Sequence, residues 1–258
     1  GNLCIVHRES FKHAMNSPNS NSLEVKKAIV LAAGRGRRLR PYTDHTPKPM
    51  LPWNGRPTIH TTLTALAYMG VSDVCLITHH LAEQIEAFVG DGAAWGLRAC
   101  FVRQQAMNGT ATAVQLTAEF IDSPTIIVAA DYILPSNYLQ DLHTAYLEAG
   151  TPLATSLKAL PADELGQRSS VRFAADGTIA EVVEKPANGQ APSQIGASLI
   201  YIVPPQIGSY LTELTLSPRG EYELPTVINQ MVRDGYKLSG LLQPAPQEWH
   251  PGRGEAGG

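Results

Sequence analysis

In the first 150 positions, hydrophobic residues form short unbroken runs. In the segments between these runs, hydrophobic residues recur every three to four positions, which is the spacing of a helix. Unbroken apolar runs of this length predict buried strands, whereas spacing of three to four residues predicts helices. The predicted strands are Ala28 to Ala33, Val74 to Thr78, Leu97 to Val102 and Thr125 to Ala130. The predicted helices are Pro57 to Tyr68, Leu81 to Val89, Thr110 to Phe120 and Pro135 to Glu148. This alternation implies right-handed βαβ units and a mostly parallel sheet buried on both faces.

The pattern changes at Thr151, after which strand-like segments follow one another more closely. These predicted strands are Pro152 to Lys158, Ser170 to Ala174, Thr178 to Glu184 and Ile195 to Val203. Asp176-Gly177 separates two of them and is typical of a hairpin turn. The whole pattern predicts an α/β fold, in which a Rossmann-like, mostly parallel mixed sheet is flanked by helices in three layers, α/β/α.

Composition narrows the class of protein. The 258 residues are 43% apolar and 17% charged, which is typical of a globular chain with one large domain or a domain plus a small appendage. The net charge of −3 argues against a nucleic-acid-binding surface. Since no apolar run has membrane-spanning length and no signal-peptide pattern is visible, we expect a cytoplasmic protein without a membrane partner. Cys75 and Cys100 lie in apolar strands and are expected to be buried.

The two ends of the chain differ from the rest. Residues 1–25 contain a polar run from Asn16 to Ser22 and are expected to form a disordered extension. Residues 251–258 are rich in glycine and are expected to form a loose tail. A single domain is therefore predicted over residues 26–250.

The first predicted strand leads into a glycine-rich loop with four arginines. This loop runs from Leu31 to Pro41, and Lys48 follows ten residues after Arg38, between two prolines. Glycine lets backbone N–H groups approach an anion, arginine matches phosphate oxygens, and proline restricts the backbone that presents the lysine. Neither the third glycine of a dinucleotide-binding loop nor a Walker A pattern is present. The loop predicts a polyphosphate site, with a solvated basic turn as the alternative.

A carboxylate follows the fourth predicted strand. Asp131 ends this apolar run, and ligands of open α/β sheets bind at the carboxyl ends of strands. Because Mg²⁺ prefers carboxylates together with phosphate oxygens and water, Asp131 is a candidate metal ligand. The alternative is an ordinary turn residue. His79 and His80 also follow a strand and are expected to be structural rather than metal-binding.

The segment from Leu31 to Pro52 resembles the signature of the sugar-nucleotide pyrophosphorylases, of the glucose-1-phosphate thymidylyl- and uridylyltransferase kind. Later segments extend this resemblance from about Lys26 to about Trp249. It implies a GT-A-like nucleotidyltransferase fold, with residues 26–150 binding the nucleotide and residues 151–250 the sugar phosphate. It further implies Mg²⁺-dependent, in-line reaction of a nucleoside triphosphate, UTP or dTTP favoured, with a sugar 1-phosphate to give an NDP-sugar and pyrophosphate. Homo-oligomers are common in that family, and no surface in this sequence identifies an interface.

The resemblance also implies roles for individual residues. Arg38 and Lys48 stabilise charge on the transferred and departing phosphates, and Asp131 binds the metal. The nucleotide-binding residues are Leu31, Ala32, Ala33, Gly34, Arg35, Gly36, Arg37, Gln104, Gly109 and Thr110. The sugar-phosphate-binding residues are Glu184, Lys185, Ser198 and Glu221. Gln104 offers the donor and acceptor that a uracil or thymine edge needs, and Thr110 is expected to cap its own helix.

Several positions depart from the family's sugar pocket. Serine stands near Ser169-Ser170, where the family has a sugar-contacting glycine, and Ala197 and Leu199 replace the usual asparagine and glycine. These changes alter the pocket, so the sugar itself is not predicted.

A further departure concerns the metal. The family commonly has a tryptophan followed two residues later by a metal-binding aspartate, whereas here Trp249 is followed by Pro251. We expect Asp131, phosphates and water to hold Mg²⁺. Substitution by His250 or Glu255, or a weakened activity, are the alternatives.

Two other functions fit the same sequence. One is a nucleotide-binding paralogue that has lost turnover, which the proline at position 251 and the altered sugar pocket motivate. The other is a cytidylyltransferase acting on a non-sugar phosphate, because the same kind of loop serves those enzymes. Fold alone does not choose between substrates.

Overall fold

The computed structural model describes residues 23–187 and 189–251. Nearly all of the predicted extension and tail lies outside the described residues; Val25 is buried and Pro251 is exposed. The strands are β1 (Lys27–Leu31), β2 (Pro52–Trp53), β3 (Arg56–Pro57), β4 (Asp73–Thr78), β5 (Arg98–Arg103), β6 (Thr125–Ala129), β7 (Tyr132–Ile133), β8 (Leu153–Ala159), β9 (Ser170–Phe173), β10 (Ile179–Val183), β11 (Ile195–Val203), β12 (Leu238–Leu242) and β13 (Gln247–Glu248). The helices are α1 (Ile59–Met69), α2 (Ala82–Val89), α3 (Thr110–Gln115), α4 (Tyr138–Ala149), α5 (Ile207–Tyr210) and α6 (Leu224–Arg233).

The described residues divide into two compact units. The first unit contains residues 23–107, 128–141 and 246–251, and the second contains residues 108–127 and 142–245. The units interleave along the chain, since β6 and α4 each cross from one to the other. The predicted halves 26–150 and 151–250 are defined by substrate and stay a prediction.

Strands of the first unit follow the order β6–β1–β4–β5. Strand β1 is parallel to β4, and β4 is parallel to β5. Residues 28–30 of β1 and 74–77 of β4 are shielded from water because these strands are apolar between their polar ends, as buried parallel strands require. These apolar runs form buried strands, as predicted, whereas β5 is the outermost strand and Phe101 alone among its residues is buried.

Strands of the second unit follow the order β12–β8–β11–β6. Strand β8 is parallel to β12 and antiparallel to β11, so this part of the sheet is mixed. The hairpin of β9 and β10 turns at Asp176-Gly177, where the Thr178 N–H donates to Asp176 Oδ1 at 3.0 Å. The predicted α/β fold, with a mostly parallel mixed sheet flanked by helices, is confirmed.

The bounds and the buried face of helix α1 follow from its local sequence. Its buried residues Ile59, Leu63 and Leu66 recur every three to four positions and form one apolar face. The helix ends at Gly70, whose N–H donates to the carbonyl groups of the last turn. The predicted helix and its glycine stop are confirmed, with boundaries shifted by one or two residues.

Helix α3 is shorter than predicted. It ends at Gln115, and a 3₁₀ turn at Ala118–Phe120 replaces the last predicted turn. Thr117 is buried between them, and its hydroxyl donates to the Val114 carbonyl at 2.8 Å. A threonine that bonds back to the preceding turn competes with the helical backbone, which accounts for the break.

Cysteines in two neighbouring strands lie side by side. Cys75 in β4 is opposite Cys100 in β5, and both are free thiols. Cys75 is buried, as predicted, whereas Cys100 is only half-buried because it lies in the outermost strand of this unit. The Cys75 thiol donates to Cys100, and this hydrogen bond together with burial raises the pKa of the Cys75 thiol.

Among the helices that the structure describes, none combines the length and apolarity needed to span a membrane.

Candidate active site

The basic loop of the first unit starts where β1 ends. Ala32 and Ala33 are buried, whereas Gly34, Arg35, Arg37 and Arg38 are exposed to solvent. The Ala32 N–H donates to the Ile77 carbonyl at 2.8 Å, so the loop begins from a position held against β4. The exposed cations lie at the carboxyl end of a parallel strand, where α/β sheets bind ligands.

Gly36 is required by the geometry of this loop. Its φ is 60°, a left-handed conformation that favours glycine, and the Thr43 hydroxyl donates to its carbonyl at 2.9 Å. A Cβ at this position would lie 2.8 Å from Thr43 Cγ2. Gly34, in contrast, has an ordinary φ, and nothing lies within 4 Å of the place that a Cβ would take, so its glycine has no such local reason.

A hydrogen-bonded chain joins the loop to the candidate base-binding residue. An Arg35 guanidinium nitrogen lies 3.2 Å from His79 Nε2, and His79 Nδ1 lies 2.7 Å from the Gln104 carbonyl oxygen. A carbonyl only accepts and a guanidinium only donates, so the Nδ1 of His79 carries the proton and Nε2 accepts. His79 therefore positions Arg35 relative to Gln104, a role that the sequence did not reveal.

The segment that carries Lys48 is a rigid turn. Lys48–Met50 form a 3₁₀ turn after Pro47, and the Leu51 N–H donates to the Lys48 carbonyl at 3.2 Å. Thr58, which is fully buried, donates its hydroxyl to the Pro49 carbonyl at 2.9 Å. The turn is thus fixed from both sides, and Lys48 is presented from a defined backbone position.

Lys48 and Asp131 are brought together, although 83 positions separate them in the chain. Lys48 Nζ donates to Asp131 Oδ2 at 2.5 Å, and it lies 3.6 Å from Glu248 Oε2. The three side chains are largely shielded, with 17%, 30% and 27% of their surfaces exposed. Two carboxylates therefore converge on one ammonium at the end of β6.

Glu248 was not foreseen by sequence reasoning. The available signal was an acidic residue directly before Trp249, close to where the resembled family has its aspartate. His250, one of the predicted substitutes, is exposed, and Glu255 lies outside the described residues. Within those residues there is no group of three or more His, Cys, Asp or Glu side chains suited to a metal.

In the second unit, Gly109 lies against the backbone of Tyr222. The Ala111 N–H donates to the Tyr222 carbonyl at 2.8 Å, and the Tyr222 N–H donates to the Asn108 carbonyl at 3.0 Å. A Cβ on Gly109 would lie 2.1 Å from that Tyr222 oxygen. This backbone contact gives the glycine a structural reason, independent of any ligand.

Thr110 does not cap its own helix, so that prediction is wrong. No side-chain hydrogen bond caps α3, because Gly109 and not Thr110 occupies the N-cap position. The Thr110 hydroxyl instead accepts the Leu224 N–H at 2.8 Å, where α6 begins. It thereby satisfies one of the unpaired N–H groups at the start of a different helix.

A charged cluster in the same unit surrounds Glu184. Burial raises the pKa of the Glu184 carboxyl, and the charge of Glu223 raises it further, against the opposing cations Lys185, Arg219 and Lys158. Glu223 is buried and pairs with Arg219. Lys185 has a φ of 44°, a strained conformation for a non-glycine residue, of the kind often stored at functional sites.

Replacement of Glu184 by glutamine is expected to raise the melting temperature by a few degrees near pH 7. Because the folded pKa is raised, ionisation costs stability as pH rises, and an amide removes that cost. The gain should vanish near pH 3, below the usual glutamate pKa of about 4.3, where the carboxyl is protonated in both states. Thermal melting at pH values from about 3 to 7 measures the effect, with Glu213→Gln, at an exposed position, as the control. Equal shifts in both variants would contradict the assignment.

The remaining predicted sugar-site residues differ in their surroundings. The Ser169 hydroxyl donates to the Ala197 carbonyl at 2.6 Å, and the Ser170 hydroxyl donates to the Ser193 carbonyl at 2.7 Å. Ser198 is buried, and among the described residues its hydroxyl has no hydrogen-bond partner. Glu221 is exposed, unlike its neighbour Glu223. The hydroxyls of the serines that stand near the family's glycine position thus bond to backbone carbonyls of the protein itself.

The fold and the site together define an α/β protein. A basic loop of the kind that binds phosphate follows its first strand, and Lys48 pairs with Asp131 at the end of β6. The chain belongs to the nucleotidyl transferase family, whose sequence pattern matches residues 27–249. This match covers both units and every predicted site residue.

Individual relatives agree with this membership. A glucose-1-phosphate thymidylyltransferase of Streptomyces antibioticus is 28% identical over 217 residues, covering 84% of this chain and 60% of the relative. A UTP–glucose-1-phosphate uridylyltransferase, AglF, of Haloferax volcanii is 29% identical over 216 residues, covering 83% of this chain and 87% of the relative. The chain spans about three fifths of the length of several such relatives.

Solved structures share the fold. A UDP-glucose pyrophosphorylase in complex with UDP-glucose superposes with a TM-score of 0.75 at 21% identity, covering 87% of this chain and 92% of that one. An apo structure of a UDP-glucose pyrophosphorylase also superposes with a TM-score of 0.75, at 20% identity. The match covers 87% of this chain and 92% of that one.

Proposed function

We propose that this chain joins a nucleoside triphosphate, UTP or dTTP, to a sugar 1-phosphate and releases pyrophosphate. The observation that carries the proposal is the rigid presentation of Lys48 beside Asp131, in the same unit as the exposed arginines of the basic loop. Membership of the nucleotidyl transferase family and the names of the relatives support it.

The reaction asks for positioning and charge stabilisation rather than a protein nucleophile. An oxygen of the sugar phosphate forms a bond to the α-phosphorus, while the bond from that phosphorus to the bridging oxygen breaks. The bonding electrons leave with pyrophosphate. Arg38 and Lys48 stabilise the charge that develops on the transferred and departing groups.

The nucleotide is assigned to the basic loop and to Gln104. The backbone of residues 31–37 and the arginine side chains are assigned to the phosphates, with N–H groups offered beyond Ala32, whose own N–H is bonded to the Ile77 carbonyl. Gln104 pairs with the edge of the base, and His79 holds Gln104 and Arg35 in register. Gly109 and Thr110 are assigned to the nucleotide as well.

A divalent cation, Mg²⁺, is assigned to Asp131. The carboxylates beside Lys48 fit this ion, which is commonly held by one or two carboxylates plus substrate phosphates. When bound, it supplies positive charge that polarises the phosphoryl oxygens.

The sugar phosphate is assigned to the charged cluster of the second unit. Lys185 binds the phosphate and Glu184 accepts hydrogen bonds from sugar hydroxyls, with Ser198 and Glu221 as further contacts. Glu184 is half-buried, which raises the pKa of its carboxyl, and a hydrogen bond from a sugar hydroxyl would replace the water lost there.

Pyrophosphate release tests the proposal. The full chain is assayed with Mg²⁺ and UTP, dTTP or CTP against glucose 1-phosphate, other sugar 1-phosphates and an alcohol phosphate. Release with UTP or dTTP and a sugar 1-phosphate is expected. No release with any pair, together with thermal stabilisation by nucleotide, would instead support a binding protein; release only with CTP and the alcohol phosphate would support a cytidylyltransferase.

Gly34→Ala is expected to weaken nucleotide binding without changing the stability of the fold. Since nothing lies within 4 Å of the added methyl group, the melting temperature should stay within about 2 °C of the unchanged protein. The methyl group nevertheless occupies the space through which phosphate reaches the backbone, so nucleotide affinity should fall about tenfold. Calorimetric titration with UTP measures it. Gly208→Ala, an equally open position outside the site, is the control, and unchanged affinity in Gly34→Ala would exclude this loop geometry.

A further inference from the structure

A surface cavity of the first unit is lined by helices α1 and α2. It has a volume of about 630 Å³, within the roughly 300–1,000 Å³ that is usual for small-molecule sites. Its walls also include residues of β3 and of the 3₁₀ turn Ala93–Trp95. None of the lining residues is among those assigned above to the nucleotide, the cation or the sugar phosphate. The cavity therefore shares no residue with the candidate active site.

Aromatic rings form much of the cavity wall. The ring of Trp95 meets the ring of His60 edge to face at 5.6 Å and that of Phe88 edge to face at 5.7 Å. Tyr68 belongs to the same wall, and 61% of its surface is exposed. A large aromatic side chain exposed beside other rings offers a surface on which a planar apolar group can pack.

Arg56 places a guanidinium at this wall. It donates to His60 Nε2, and the two nitrogens are 2.6 Å apart. His60 Nδ1 lies 3.4 Å from the Thr64 hydroxyl oxygen, and since Nε2 accepts, Nδ1 carries the proton and donates. Because a guanidinium has five N–H donors, the one bond to His60 leaves the others for a ligand.

The described lining of the cavity carries one charge, on Arg56. None of the lining residues is acidic, and among the described residues no carboxylate pairs with Arg56. Burial lowers the pKa of His60, and the charge of Arg56 lowers it further, so the imidazole is uncharged near pH 7. One positive charge matches a monoanion, and the planar fork of a guanidinium matches the two oxygens of a carboxylate.

We propose that this cavity binds a small aromatic monocarboxylate. The ring of the ligand packs against Tyr68 and Trp95, and its carboxylate accepts hydrogen bonds from Arg56. A doubly charged phosphate would call for a second cation, which the described lining does not contain. The site goes beyond the proposed function and does not depend on it.

Indole N–H resonances locate the binding. The full chain, labelled with ¹⁵N, is titrated with 2-naphthoate in the absence of nucleotide, and Trp95→Phe identifies the resonance of Trp95. This resonance is expected to shift until the site is saturated, which gives the dissociation constant. The resonances of Trp53 and Trp249 should stay in place, because neither residue lines the cavity.

Arg56→Gln removes the charge and the fork. Affinity for 2-naphthoate should fall about tenfold, the scale of a hydrogen bond to a charged group, whereas affinity for the uncharged 2-naphthamide should not change. Arg233→Gln, at an exposed arginine of the second unit, is the matched control and should bind both probes as the unchanged protein does.

Tyr68→Ala tests the ring contact separately. It should weaken the binding of 2-naphthoate and 2-naphthamide by the same factor, because it removes apolar surface and no charge. Thermal melting confirms that each variant is folded. If Arg56→Gln is unstable, the preference of the unchanged protein for the carboxylate over the amide still tests the charge.

The outcomes separate this inference from the proposed function. Equal affinities for 2-naphthoate and 2-naphthamide overturn the inference, as does unchanged binding of 2-naphthoate by Arg56→Gln. A titration that leaves the Trp95 resonance in place also overturns it. Binding that shifts this resonance and depends on Arg56 supports it, even in a chain that releases no pyrophosphate, which would contradict the proposed turnover alone.

Discussion

Replacement of Lys48 by alanine is expected to lower the rate of pyrophosphate release about a hundredfold, the scale for losing one charge contact in a transition state. The ammonium lies on a turn fixed by Thr58 and is the cation placed beside Asp131. Its loss removes a stabiliser of the departing phosphates and leaves two carboxylates without their shared partner. Arg38→Ala should lower the rate by a similar factor, because the second cation serves the same developing charge.

Steady-state assays with saturating UTP and sugar 1-phosphate measure this effect. Lys48→Arg should recover only part of the rate, since a guanidinium keeps the charge but not the compact shape of an ammonium. Lys26→Ala is the matched control, because Lys26 is an exposed lysine that pairs with Glu24 away from the loop. Near-normal rates in Lys48→Ala and Arg38→Ala would remove the assignment of these two residues.

Gly109→Ala is expected to destabilise the protein by about 3 kcal/mol, a fall in melting temperature of about 10 °C. Its φ of 139° is strained for any residue with a Cβ, and the added carbon would lie 2.1 Å from the Tyr222 carbonyl oxygen. Relief of that clash would break the backbone hydrogen bonds between Tyr222 and its partners Asn108 and Ala111.

A second glycine distinguishes the cost of backbone strain from the cost of the steric clash. Gly177 has a φ of 83° with nothing within 4 Å of an added Cβ, so Gly177→Ala should cost only about 1 kcal/mol. Chemical denaturation of both variants gives the difference. Similar losses in the two variants would show that the Tyr222 contact does not constrain Gly109.

Local features of the sequence predicted much of the fold. The apolar runs of β1, β4 and β6 and the regular spacing along α1 depend on neighbours in the chain, and the structure confirms them. The β9–β10 hairpin followed from Asp176-Gly177 for the same reason. The break after α3 was missed because it depends on the side-chain bond of Thr117 and not on spacing.

Distant partners explain what sequence reasoning missed at the candidate site. Thr110 has the local context of a helix cap, yet its hydroxyl serves Leu224, 114 positions away. His79 looks like an ordinary polar residue until Arg35 and Gln104 are placed on either side of it. No local pattern distinguishes such residues from others of the same type, because their partners come from other elements.

The sequence by itself determined the strands, the main helices, the basic loop and the family, because each depends on residues that are close together in the chain. Only the tertiary structure decided that Lys48 meets Asp131, that Glu248 joins them, and that Glu223 lies near Glu184. Trp249 reaches Pro52 across 197 positions, and β13 pairs with β7 only after the sheet has formed. The physical reason is that propensity acts between neighbours, whereas the position of a charged group is set by packing between segments that the sequence keeps apart.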